Sequence, residues 1–393
     1  MSSPEKLSPA PESNPNPSLP DALLISCIAR VSRLYYPTLS LVSKSFRSLL
    51  ASPELYKARL LLDHTESCLY VCLKLSPSEN PSWFTLCLKP DVALTYDTSN
   101  KKKSSGYVLA KVPIPHSPPV KSSSLVVVGS NIYNIGCNIY SIGRSRSPYS
   151  NVSIFDCRSH TWREAPSLPV ELFAVSAGVL DGKIYVTRSC KDDDSYNLKN
   201  TFEVFDTKTQ VWDHVPSPYS ETKHNSYSKS LCIDEKWYVV TKRKVVAYNP
   251  KKGKWDLVES EMCSYKSSYT YCEIENVLYS VEKTWRGTDF RWYDTELRQW
   301  RKVKGLDLVG LPKFCLHACV RLADYGGKMA VLWEENMRYS GRGDRGGKKM
   351  IWCAVITLER RGNFGIWGKV EWVAHVLTVP KTYVFKKLLA ATV

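Results

Sequence analysis

Four times along the chain an aromatic residue is followed directly by Asp or Asn and then, six positions later, by Trp. The four are Phe155-Asp156 with Trp162, Phe205-Asp206 with Trp212, Tyr248-Asn249 with Trp255, and Tyr293-Asp294 with Trp300. The Trp-to-Trp intervals are 50, 43 and 45 residues. A unit of about 40 to 50 residues cannot bury both of its faces alone and must stack on copies of itself. Each motif follows a strand-type run that leaves a turn, such as Asp181-Gly182-Lys183-Ile184-Tyr185 or Asn276-Val277-Leu278-Tyr279, so the unit holds several strands. The turn-forming residues between Asp and Trp predict a hairpin, with Trp entering the next strand and covering about 150 to 250 Å² between neighbouring units. Truncating one such buried Trp is expected to cost about 3–5 kcal/mol, a large share of a total of about 5–15 kcal/mol. Asp156, Asp206, Asp294 and the four Trp are therefore read as structural.

Multi-stranded units at this interval are the blades of a β-propeller. Six blades are expected, over residues 68–115, 125–169, 175–216, 228–260, 268–306 and 314–376. The first lacks the Asp-to-Trp pattern and offers strands at 68–75 and 83–88; a loop around 340–349 interrupts the last. Five or seven blades fit the spacing as well.

Ahead of the repeats the pattern is different. Residues 1–18 hold five prolines and few apolar side chains, too little to repay the entropy of ordering, and are expected to form a flexible tail. Residues 19–65 read as a small helical module. Proline marks three helix starts, at Pro20, Pro37 and Pro53, with Ser52 placed to cap the third and Glu54 favourable to its dipole. Projected as a single helix, the second puts Leu39, Val42, Phe46, Leu49 and Leu50 on one inward arc and leaves Leu41 outside it; in the first, Ile25 lies outside the arc of Leu23, Leu24, Cys27, Ile28 and Val31. A module this short is marginal on its own core, so outward apolar residues suggest docking, on a partner or on the following domain. The propeller is expected over 66–378, and 379–393 as a separate C-terminal segment whose last dozen residues have helical character.

Charge and composition exclude several classes. The 54 basic and 38 acidic residues give +16, but the basic runs are scattered among strand ends and form no stripe of the kind nucleic acid requires. No run approaches the ~20 apolar residues of a membrane span, and the N-terminus has no apolar core of a secretory signal. Thirteen Cys at irregular spacing fit a reducing compartment better than a disulfide framework, so a cytoplasmic or nuclear protein is expected.

Leu19-Pro20-Asp21-Ala22-Leu23-Leu24, followed by residues 36–46, Tyr-Pro-Thr-Leu-Ser-Leu-Val-Ser-Lys-Ser-Phe, resembles the F-box of the F-box and kelch-repeat proteins abundant in plants, and the Asp and Trp series resembles their kelch repeats. The resemblance implies a non-catalytic adaptor. Its F-box would dock on a Skp-type adaptor of a cullin-RING (SCF) ubiquitin ligase, and its propeller would hold a protein for ubiquitination. Carried over by position, the docking surface includes Leu19, Pro20, Leu23, Leu41, Val42, Lys44 and Phe46. Ala22 stands where an acidic residue is frequent, and the Gly-Gly pair of the family's blades is degraded: Gly143 is followed by Arg144, Arg188-Ser189 occupies the equivalent place, and the third and fourth repeats lack it. A non-ligase scaffold and a metal-dependent kelch enzyme are the alternatives.

No cofactor or metal is expected. The Glu-x-x-x-Asp-x-x-x-His set of iron-dependent kelch enzymes is missing, since Asp156 and His160 have Val152 where Glu is needed. Cys315, His317 and Cys319 share a strand face but lack a fourth converging ligand, and read as packing, as do Cys68 and Cys72. Residues 192–194, three Asp, lack calcium-loop spacing. The glycine-rich 341–349 has Gly347 where a phosphate loop needs Lys. None of the seven His joins a nucleophile motif. Loops at 190–197, 220–226 and 285–289 are candidates for contacting the protein substrate by position alone.

Overall fold

The computed structural model describes residues 20–76, 80–89, 106–136, 150–168, 174–192, 195–218, 229–240, 245–258, 271–284, 287–306, 311–312, 314, 319–337, 347–362 and 365–393. Leu19, the 1–18 segment, Gly143-Arg144, Cys315, His317 and residues 220–226 lie outside them.

Four short helices come first: α1 (Asp21–Ala29), α2 (Tyr36–Leu39), α3 (Lys44–Leu50) and α4 (Pro53–Leu61). Their core is Ile28, Ala29, Tyr36, Leu50 and Leu55, with Leu24, Ile25, Leu39, Phe46 and Leu49 packed against it. The expected continuous second helix is broken. Ser40 Oγ donates back to Pro37 O at 2.6 Å and Ser43 Oγ accepts from Phe46 N at 3.1 Å to cap a new helix, both side chains offering the backbone an alternative to helix. Pro20 sits at the N-cap of α1, one place outside the helix, whereas Pro37 and Pro53 lie in the first turn of α2 and α4.

Among the described residues, the other regular structure, apart from short 3-10 turns, is antiparallel sheet, in six four-stranded blades. Blade one begins with β1 (Ser67–Lys74), β2 (Ser82–Leu88) and β3 (Tyr107–Lys111). Blade two is β4 (Leu125–Val128), β5 (Asn131–Ile135), β6 (Ser150–Asp156) and β7 (Thr161–Leu168). Blade three is β8 (Ala174–Leu180), β9 (Lys183–Asp192), β10 (Ser195–Asp206) and β11 (Val211–Val215). Blade four is β12 (Lys229–Ile233), β13 (Lys236–Val240), β14 (Val245–Asn249) and β15 (Lys254–Val258). Blade five is β16 (Tyr271–Ile274), β17 (Val277–Thr284), β18 (Gly287–Asp294) and β19 (Gln299–Lys302). Blade six is β20 (Arg321–Asp324), β21 (Met329–Asn336), β22 (Lys348–Arg360) and β23 (Ile366–Pro380).

The chain's end corrects an expectation. Residues 379–393 are neither helical nor separate: β24 (Val384–Thr392) pairs antiparallel with β1 and completes blade one. The contacts of β4, β8, β12, β16, β20 and β24 run from one to the next around a ring, so β24 is the innermost strand of its blade. Its sequence, VFKKLLAAT, has helix formers, but a row of unpaired β1 N–H and C=O groups overrides local propensity.

Because both faces of each blade are covered, the propeller has six cores, one between each pair of neighbours. On β1, Leu69, Val71 and Leu73 face blade six, while Cys68, Tyr70 and Cys72 face blade two, as the two-residue period of a strand requires. The sequence motif now has a geometric meaning. Its aromatic residue and its Trp are direct cross-strand partners: Phe155 with Trp162, Phe205 with Trp212, Tyr248 with Trp255, Tyr293 with Trp300. Ring centroids are 5.2, 4.8, 5.1 and 5.3 Å apart. The Asp accepts backbone N–H bonds inside the turn, for example Asp206 Oδ1 from Lys208 N at 2.9 Å and Thr209 N at 3.2 Å, and Asn249 does the same from Lys252 N at 3.1 Å. Two residues before each Trp the backbone is left-handed, at His160, Gln210, Gly253 and Arg298.

These four Trp lie between blades as expected but are half-buried, not buried. Each lies on the outermost strand and reaches back over the preceding blade. Trp212 Nε1 donates to Pro166 O at 2.9 Å and Trp255 Nε1 to Pro216 O at 2.5 Å. Among the described residues the buried indoles are Trp83, Trp237, Trp292 and Trp333, with Trp83 and Trp237, on β2 and β13, the most enclosed.

Candidate docking face

The helical module exposes more apolar surface than its size warrants. Among the described residues, the large exposed hydrophobics include Leu23, Tyr35, Leu41, Val42, Leu60 and Leu61, all within this module, against five scattered over the propeller. Leu41 is 73% and Val42 63% exposed. Single exposed apolar residues are ordinary; a cluster of them within one small module marks an interaction surface.

Of the predicted docking positions, all but Leu19, which lies outside the described residues, have a definite place. Leu41 and Val42 lie in the turn between α2 and α3, and both point to solvent. Leu41 stands where the projection put it, but Val42 does not, because the helix that was to carry it inward ends at Leu39. Leu23 is exposed on α1, contrary to its predicted arc, and Ile25, predicted outward, packs on the module's core. Cys27, on the same predicted arc, is exposed. Pro20 and Lys44 are exposed, and Phe46 is half-buried against the core, so its part is to hold α3. Leu60 and Leu61 were not singled out from sequence. The signal was present: three consecutive leucines, 60–62, cannot share one side of a helix.

The module is held to the propeller by a buried polar junction. Arg59, 2% exposed, donates through Nη1 to Ala29 O at 3.1 Å, Val31 O at 2.8 Å and Tyr36 Oη at 3.1 Å, and through Nη2 to Glu66 Oε1 at 2.8 Å. A cation suits the C-terminal carbonyls of α1. Glu66 also accepts from Ser32 Oγ at 2.8 Å and from the Arg33 backbone N–H. Its own backbone pairs with Val393, at 3.0 and 2.9 Å. From the helices, Tyr56 Oη donates to Arg158 O at 3.1 Å and Arg33 Nη2 to Cys157 O at 3.0 Å, both in blade two's turn. The junction thus ties α1, α4 and the stretch before α2 to the propeller, with Leu41 and Val42 on the turn that follows α2.

Among the described residues, no group of three or more metal-ligating side chains converges. Cys68 and Cys72 are buried, and burial pushes the Cys72 thiol up to about 12. Of the candidate substrate loops, the described parts of 190–197 belong to β9 and β10, and 287–289 to β18. No helix among the described residues is long and apolar enough to cross a membrane.

Comparison with known proteins agrees with this geometry. The family model for the F-box domain matches residues 17–58, and that described as FKB95, Kelch-repeats domain, matches 83–377. A putative F-box/kelch-repeat protein of Arabidopsis thaliana is 77% identical over 393 residues, all of both chains. A second F-box/kelch-repeat protein of that plant is 62% identical over 95% of this chain and 99% of its own, and a third is 51% identical over 100% of each. Helical module, propeller and relatives together establish that this chain belongs to the F-box/kelch-repeat protein family.

Proposed function

We propose that this protein is a substrate-recognition subunit of an SCF-type ubiquitin ligase: the helical module docks a Skp-type adaptor, and the propeller presents a protein for ubiquitination. The carrying observation is the solvent-facing pair Leu41 and Val42 between α2 and α3, 73% and 63% exposed beside a core of Ile28, Ala29, Tyr36, Leu50 and Leu55 to which neither belongs. Apolar side chains on a rigid turn bind without first paying ordering entropy. In this role the chain is a non-catalytic member of the ligase, working in the cytoplasm or nucleus.

The test is capture of a Skp-type adaptor by the full-length chain. Glu66 completes the helical module, so a fragment ending before it is a poor reagent. Wild type is expected to retain the adaptor. Leu41→Asp with Val42→Asp should weaken binding by about 100-fold or more, as loss of two interface anchors does, with the melting temperature unchanged because neither residue is in the core. Wild-type chain that captures no adaptor removes the ligase role and leaves a kelch scaffold.

A further inference from the structure

A cavity of about 530 Å³ lies where the helical module meets blades one and two. Its size suits a small organic molecule. Four cationic side chains line it, Arg33, Arg47, Lys111 and Arg158, against one carboxylate, Glu66. Glu66 is paired with Arg59, and Arg158 with Asp156 at 3.0 Å. Among the described residues no carboxylate pairs with Arg33, Arg47 or Lys111.

Arg33 is the unusual member. Its guanidinium lies 5.8 Å from the Tyr36 ring centroid and 5.4 Å from that of Tyr56. Nη2 donates to Cys157 O, while Nη1 is buried without a hydrogen-bond partner. A guanidinium keeps its charge in proteins; Arg33 is partly exposed and lines the cavity, so the rest of its guanidinium is open to a ligand there although Nη1 itself is sealed. His160, also on the cavity wall, adds no charge, because burial, followed by the charge of Arg33, lowers its pKa to about 4. The remaining wall includes Leu34, Leu50, Leu86 and Val112, apolar side chains that a simple inorganic ion would leave uncovered.

We propose that this cavity binds a small organic acid, its oxyanion head on Arg33 and its apolar body against the leucine and valine wall. The ligand would touch the helical module and the propeller at once. This reading is independent of adaptor docking.

The test uses the full-length chain and two near-isosteric probes, naphthalene-2-carboxylate and the neutral naphthalene-2-carboxamide, by calorimetric titration. The carboxylate is expected to bind at least about tenfold more tightly, the worth of a charge-assisted hydrogen bond. Arg33→Met should bring the ratio close to one. Ala110→Trp, which fills the cavity without altering Arg33, should abolish binding of both probes and decides the matter if Arg33→Met does not fold. Equal affinities in wild type, an unchanged ratio in folded Arg33→Met, binding that survives Ala110→Trp, or no binding at millimolar probe would each overturn the proposal.

Discussion

Replacing Glu66 by Ala should destabilise this protein out of proportion to the size of the side chain removed. Arg59 is 2% exposed and Glu66 is its carboxylate partner at 2.8 Å. Removing one member of such a pair leaves an uncompensated buried charge and costs about 3–5 kcal/mol. The Glu66 side chain is 28% exposed, so water reaches part of the gap, and the three acceptors of Arg59 Nη1 remain; the lower end, about 3 kcal/mol, is expected. For a chain of this size that is a fall of roughly 4 °C in melting temperature. Calorimetry and amide exchange over α1 and α4 make the measurement, with loss of protection in those helices first. Arg59→Met combined with Glu66→Gln leaves neither charge unpaired and should cost less than the sum of Arg59→Met and Glu66→Gln measured singly, because the two groups are coupled; the loss of the three Nη1 hydrogen bonds is common to both variants that lack Arg59. A Glu66→Ala cost below about 1 kcal/mol, or a double variant whose cost is the plain sum of the singles, would refute the account.

Three further outcomes are expected. Trp237→Ala, which empties a fully enclosed site, should cost about 3–5 kcal/mol, whereas Trp255→Phe, on the half-buried motif indole, should lose mainly its hydrogen bond to Pro216 O, about 1 kcal/mol; denaturant titration separates them. Removing residues 384–393 should abolish cooperative unfolding in calorimetry, since blade one loses its inner strand. Stability should fall as pH drops below about 4, the ordinary Asp range. The carboxyl of Asp206 is lowered by the Lys208 and Thr209 N–H groups and by Lys183, and in Asp156 and Asp294 burial acts upward but is outweighed by arginine and backbone donors. A depressed folded-state pKa gives stability that is present above the unfolded value and lost as pH falls through the folded one. Asp206→Asn, imitating Asn249, should flatten part of that profile in thermal melts.

The repeat was readable because its chemistry is local. Asp206, the left-handed Gln210 and Trp212 lie within seven residues, and their register follows from one turn. The closure was not readable, because β24 is paired with β1 from the far end of the chain and its own residues prefer helix. At the docking face, Leu41 emerged from periodicity, but Val42 and Leu23 were assigned to the wrong side. Two serines ended the helix that the projection assumed continuous, and Ile25 took the inward place on α1. The cavity was invisible in the same way: Arg33 and Lys111 are far apart in sequence, and only the seating of the helices on blades one and two puts them on one wall.

The pairing of β24 with β1 sets an order of events during synthesis. As the chain leaves the ribosome, blades two to six can form from contiguous sequence, but blade one waits for residues 384–393. Until then β1 has a bare inner edge, and Glu66, which neutralises Arg59, lacks the Val393 backbone that pins it. Closing so long a loop is slow, and an open edge invites mispairing. A chain that lacks residues 384–393 therefore exposes both an unpaired strand and a loosened helical mount, and ring closure and a firm docking module arrive in the same step.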